Sequence, residues 1–155
     1  MLLCLTKIDD LPDVEHTLKN ISQKRNWKFL YKNAPVIEEL IEFASEVRVI
    51  FMNPNKSNIQ FSSNVLRRFP NLQVLCTAST GTVHIDTDYC DYVGVDVISI
   101  KRELPTLEKI SSTAELAFTL TMMGIRHVPE AMQSVSEGQW DYVPFTGRQM
   151  SGLTI

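Results

Sequence analysis

The sequence predicts an α/β domain: a parallel five-stranded sheet with helices on both faces, followed by a separate helical segment. Three observations carry this expectation. Short apolar runs alternate with longer amphipathic stretches through residues 1–100, and strands alternating with helices form parallel sheets. Glycine is absent through residue 80, and all six fall at Gly81, Gly94, Gly124, Gly138, Gly147 and Gly152, so the two parts differ in character. The last third carries a helix that is apolar almost all the way round, which demands cover on most of its surface.

Composition narrows the class further. The 155 residues are 44% hydrophobic and 21% charged, as in a globular protein. The net charge of −3 argues against nucleic acid or an acidic membrane as partner. No apolar run approaches the roughly 18 residues that cross a bilayer. The opening Met1–Leu5 lacks the basic lead of a signal peptide. Three widely spaced cysteines, Cys4, Cys76 and Cys90, with no CxxC pair, read as reduced thiols in a cytoplasmic protein.

The elements follow in order. Leu2–Ile8 is a strand, and after Pro12 a helix places Val14, Leu18 and Ile21 on one face. Trp27–Tyr31 is the next strand, and Val36–Ala44 the next helix, with Ile37, Leu40, Ile41 and Ala44 inward. Val47–Met52 is a strand, ended by Asn53-Pro54-Asn55. Ser62 or Ser63 caps a helix that Pro70 stops. Leu72–Ala78 is a strand. Asp86 caps a short helix that Gly94 closes in the left-handed region, and Val95–Ile100 is the fifth strand. This layout is flavodoxin-like. Beyond Pro105, Ser112-Thr113-Ala114-Glu115 has the form of a capping box opening a helix to Ile125. Another helix runs from near Pro129 to Gly138, and the tail ends like a strand just beginning. The expected domains are 1–104 and 105–155.

The sharpest local feature is Ala78-Ser79-Thr80-Gly81-Thr82-Val83-His84-Ile85-Asp86. It leaves a parallel strand, passes a glycine and enters a helix, and ligands of open α/β sheets bind at such carboxyl ends. Free amides at a helix start suit a carboxylate or phosphate. The plainer reading is a βα turn whose glycine relieves strain. A receiver-like regulatory module shares the layout and offers Asp9, Asp10, Thr77 or Ser79, and Lys101. At its phosphate-accepting position, however, this chain has Asn53, which cannot be phosphorylated as an aspartate can. His16 and His127 read as ordinary helix residues, and His84 lies near the loop without an assigned role. No histidine or cysteine pair has metal-ligand spacing, and no Gly-x-Gly-x-x-Gly occurs.

Three runs together, Ala78–Asp86, Ser112–Ala117 and Arg126–Ala131, resemble the D-isomer-specific 2-hydroxyacid dehydrogenases. The stretch from Gly138-Gln139-Trp140 through Gly147 to Ser151–Ile155 is similar to the lead into that family's nucleotide-binding domain. Residues 1–77 agree in layout only. The resemblance implies a flavodoxin-like substrate domain segment and a helix crossing into a Rossmann domain. It implies hydride transfer between a nicotinamide cofactor, NAD or NADP, and a small 2-hydroxy or 2-keto acid. Position by position, it implies that the Thr80 and Gly81 amides hold the substrate carboxylate, and that Thr80 also lies near the nicotinamide. Asn53 and Pro54 match a loop toward the substrate side chain, and Thr113 a position near the cofactor. It places the fingerprint, histidine, acidic partner and arginine beyond Ile155, so no catalytic residue and no metal ligand is assigned in this chain. The chain alone is then expected to be inactive, and to pair as a homodimer through residues 106–155.

Overall fold

A computed structural model of the chain describes residues 1–53 and 58–154. Two compact units emerge, Met1–Leu107 and Glu108–Ile155.

The first unit is built on the five strands. They are β1 (Leu2–Cys4), β2 (Phe29–Tyr31), β3 (Val49–Met52), β4 (Val74–Thr77) and β5 (Asp96–Ser99), all parallel and ordered β2-β1-β3-β4-β5. This is the flavodoxin-like order. Each strand is shorter than its apolar run. β1 stops at Cys4, although the Leu5 amide still donates to the Phe51 carbonyl at 2.8 Å.

Alternation along the strands divides the core between the two faces. Leu3, Leu5, Ile50, Met52 and Leu75 point to one face, where α2 (Ile37–Ile41) brings Leu40, α3 (Ser63–Leu66) brings Leu66, and α4 (Thr87–Val93) brings Cys90. Phe61, fully buried, anchors that side. Burying a large apolar side chain stabilises by about 1.5–3 kcal/mol, so this larger cluster dominates the stability of the unit. Leu2 and Cys4 point the other way, against Leu18 and Val14 of α1 (Pro12–Lys24). Proline starts α1, in the turn where an amide would lack a helical partner.

Local details differ from expectation in ways that have physical causes. Ile21 is exposed, and Ser22 takes the inward place beside Leu18. The Ser22 hydroxyl donates to the Leu18 carbonyl at 3.0 Å, so it can be buried without an unmet hydrogen bond. The helix after Phe61 has Ser62 at its cap position, but no serine side chain caps it. Gly94 closes α4 at φ 77°, a left-handed position that suits a residue without a Cβ.

The second unit contains α6 (Ser112–Ile125) and α7 (Val128–Ser136); the short α5 (Leu104–Leu107) precedes it. The cap of α6 is Ser111 rather than Ser112. Glu115 is therefore one residue too far along for a capping box, and its carboxylate accepts from the Ser111 hydroxyl instead. Residues 111–121 are exposed, Leu116, Phe118 and Leu120 among them. The tail forms a short 3-10 turn at Met150–Gly152, and Leu153 after it is extended. No helix among the described residues is long and apolar enough to cross a membrane.

Candidate functional site

The loop from β4 to α4 leaves the carboxyl edge of the sheet, beside the exit of β3. The Ala78 amide donates to the Met52 carbonyl at 2.8 Å, which sets the half-buried Asn53 next to the start of this loop. Thr80 and Gly81 are exposed. Neither amide donates a hydrogen bond to another described residue. Pro54 lies outside the described residues, and Thr113 is an exposed residue of the second unit, in the first turn of α6.

The Thr80 and Gly81 amides sit upstream of the helix, not at its start. The start of α4 is already filled by the Asp86 carboxylate, which accepts from the Tyr89 amide at 3.0 Å and from the Ser63 amide at 3.2 Å. One side chain therefore satisfies amides in the first turns of both α3 and α4. The backbone reinforces this link. The Phe61 amide donates to the His84 carbonyl at 2.8 Å, and the Asp86 amide donates to the Phe61 carbonyl at 3.0 Å. The Asp86 carboxylate thus occupies the helix start that an anion would otherwise take.

Beneath that turn lies a polar group of a kind that the β4 alternation does not announce. Thr77 and His84 are both buried. The His84 Nε2 lies 3.2 Å from the Thr77 hydroxyl, which lies 2.8 Å from the Ser79 hydroxyl. The Ser79 hydroxyl donates to the Gly81 carbonyl at 2.7 Å. The hydroxyl spacing of Thr77 and Ser79 is visible in the sequence, but its meaning depends on where His84 folds back.

Burial pushes the His84 imidazole below its ordinary value of 6.5. In the unfolded chain the imidazole takes up a proton near 6.5, whereas in the folded unit it stays neutral to lower pH. Stability is therefore unaffected above about 6.5 and falls as pH drops from there to the lowered native value. Thermal unfolding followed from pH 7.5 to 5 should show this loss, and His84→Gln should flatten it relative to the wild type. Equal slopes for the two proteins would mean that His84 does not carry it.

The remaining candidates are quiet. Asp9 accepts from the Tyr31 hydroxyl at 2.8 Å, and Asp10 is paired with Lys7 at 2.9 Å, so the acidic pair is occupied in local contacts. Burial raises the Cys4 and Cys90 thiols to about 11, which makes them poor nucleophiles. No group of three His, Cys, Asp or Glu residues able to hold a metal ion occurs among the described residues. Among the described residues, one cleft of about 680 Å3 is lined by Arg126, Trp140, Tyr142 and Arg148, and another of about 430 Å3 lies beside Ala34–Glu38. The Thr80–Gly81 turn lines neither of them.

The family profile of the D-isomer specific 2-hydroxyacid dehydrogenase, catalytic domain, matches residues 7–138. The chain belongs to this family. The matched stretch of the 2-hydroxyacid dehydrogenase profile includes the whole β4–α4 loop and most of the second unit. D-3-phosphoglycerate dehydrogenase of Methanocaldococcus jannaschii is 28% identical over 118 residues, covering 76% of this chain and 21% of that protein. Hydroxypyruvate reductase of Thermotoga maritima is 25% identical over 118 residues, covering 76% of this chain and 36% of that protein. The chain thus spans about a fifth to a third of the length of these curated relatives. Among solved structures, D-lactate dehydrogenase from Aquifex aeolicus, complexed with NAD and lactic acid, superposes with TM-score 0.72 at 23% identity. It covers 98% of this chain and 42% of that one. NAD-dependent formate dehydrogenase from Staphylococcus aureus, in complex with NAD, superposes with TM-score 0.73 at 20% identity, covering 93% of this chain and 44% of that one. At these identities the superpositions establish the shared fold.

Proposed function

We propose that this chain carries the substrate-carboxylate subsite of an NAD(P)-dependent D-2-hydroxyacid dehydrogenase, acting on a small 2-hydroxy or 2-keto acid. The single observation that carries this reading is the pair of amides at Thr80 and Gly81, which donate to no other described residue, in an exposed turn at the carboxyl end of β4. A carboxylate needs two or more donors in a fixed fork, and preformed backbone amides supply them without rearrangement. Asn53, one strand over, is the position that the resemblance assigns to the substrate's substituent. Its neutral amide suits an uncharged substituent.

A nicotinamide cofactor would supply the hydride when bound. The sequence has no Gly-x-Gly turn to approach a pyrophosphate. Thr80 and Thr113, the two positions assigned to it by resemblance, are exposed and lie in different units. The chain's own contribution is to bind the carboxylate and hold the second carbon in one orientation, which by itself can supply a large part of a rate enhancement. A homodimer formed through residues 106–155 and a cytoplasmic setting, in keeping with three free cysteines, complete the proposal.

Pyruvate added to the isotope-labelled chain should shift the Thr80 and Gly81 amide resonances selectively. The same chain with NADH and pyruvate should show no turnover above background, because the resemblance assigns no general acid to this chain. Absence of any amide shift at these two residues would sink the carboxylate reading. Turnover would show that the chemistry is complete within this chain.

A further inference from the structure

The hydrogen bonds around the loop fix its proton positions. The Gly81 carbonyl can only accept, so the Ser79 hydroxyl spends its single proton there. Ser79 must then accept from Thr77, which spends its own proton on that bond. Thr77 must in turn accept from His84, so His84 donates through Nε2–H. The chain runs one way, from His84 through Thr77 and Ser79 to Gly81.

Its consequence lies in the peptide planes. A trans peptide points its carbonyl and amide in opposite directions. The Ser79 carbonyl accepts from the Ile100 amide at 3.2 Å, which turns the Thr80 N–H away from β5. The Gly81 carbonyl is held from below by Ser79 at 2.7 Å. The plane between them, which carries the Gly81 N–H, is thereby clamped on both sides. Glycine at this position would otherwise be the most mobile residue of the turn.

We propose that His84 is a positioning residue: its Nε2–H drives a one-way relay through Thr77 and Ser79 that holds the Gly81 peptide with the Thr80 and Gly81 amides turned out toward a substrate carboxylate. The ligand class is a small 2-keto or 2-hydroxy carboxylate, and this role rests on the function proposed above. His84 touches no substrate. Its effect passes through two buried or half-buried hydroxyls.

The test uses the whole 155-residue chain. Nitrogen-15 spectra of the imidazole at pH 7.5 should show His84 neutral, protonated at Nε2 and bare at Nδ1. A proton on Nδ1 alone would break the relay at its source and overturn the proposal. His84→Leu, and separately the same-shaped Thr77→Val, should speed amide exchange at Thr80 to Thr82 and weaken pyruvate binding about tenfold, the order expected for one lost hydrogen bond. His84→Gln, which places an amide donor near Nε2, should restore most of the binding. A purely structural role would not be rescued in this selective way. Thr77→Val serves if His84→Leu fails to fold. If pyruvate shifts the two amides equally in the wild type, His84→Leu and Thr77→Val, the positioning role falls while the carboxylate site stands. If pyruvate shifts neither amide even in the wild type, the functional reading falls, and with it the role of His84 in binding. The imidazole spectrum and loop exchange then still decide whether the relay orders the turn.

Discussion

Asp86→Ala is expected to destabilise the first unit by about 2–4 kcal/mol and to loosen the loop that carries Thr80 and Gly81. The half-buried carboxylate accepts from the Tyr89 and Ser63 amides, in the first turns of two helices. Losing an acidic helix cap costs about 0.5–2 kcal/mol, and a hydrogen bond to a charged group contributes about 1.5–3 kcal/mol. The two losses share one side chain and do not simply add. Asp86→Asn keeps one acceptor oxygen and should cost roughly half as much. Chemical denaturation of the three proteins reads the order directly. The Phe61–Ile85 bridge and the backbone bonds around it should keep residues 82–86 near Phe61 even in Asp86→Ala. A change below about 0.5 kcal/mol, the range of an ordinary surface substitution, would show that Asp86 does not hold the helices together.

The second large effect concerns association. In α6, Leu116, Phe118 and Leu120 are 59%, 56% and 57% exposed, an amount of apolar surface that a lone helix rarely leaves in water. Three large apolar side chains left about half exposed forgo roughly 2–4 kcal/mol of burial. A second copy of the helix could cover them, whether by face-to-face pairing or by exchange between copies. Light scattering at micromolar concentration should give a dimer for the full chain. A version ending at Leu107, which keeps the whole sheet and its core, should give a monomer. Phe118→Glu in the full chain should also give a monomer. Monomers for both the full chain and the shortened one would mean that residues 106–155 are not an interface.

Much of the first unit was legible because burial follows local rules. All five strands, the caps at Asp86 and Gly94, and the apolar character of α6 come from side-chain period and backbone chemistry, each within a few residues. Where the period misled, a hydrogen bond was the reason. Ser22 displaces Ile21 from the inner face of α1 because its hydroxyl is satisfied by the Leu18 carbonyl one turn back. The start of α6 shifts by one residue because Ser111 and Glu115 satisfy each other.

The sequence by itself determined most of the residues that turn inward, though not Ser22 in place of Ile21 or the exposure of Ile41, and that Thr80 and Gly81 would stand at the carboxyl end of a strand. Tertiary structure alone decided the register in which β1 meets β3, with Leu2 opposite Val49, and the reach of Asp86 back to Ser63. It alone decided the direction of the His84–Thr77–Ser79 relay as well. Apolar burial is nearly non-directional, so its pattern survives in a linear sequence. A hydrogen bond requires donor and acceptor to meet within about 3 Å and in line, and the folded chain alone brings them there.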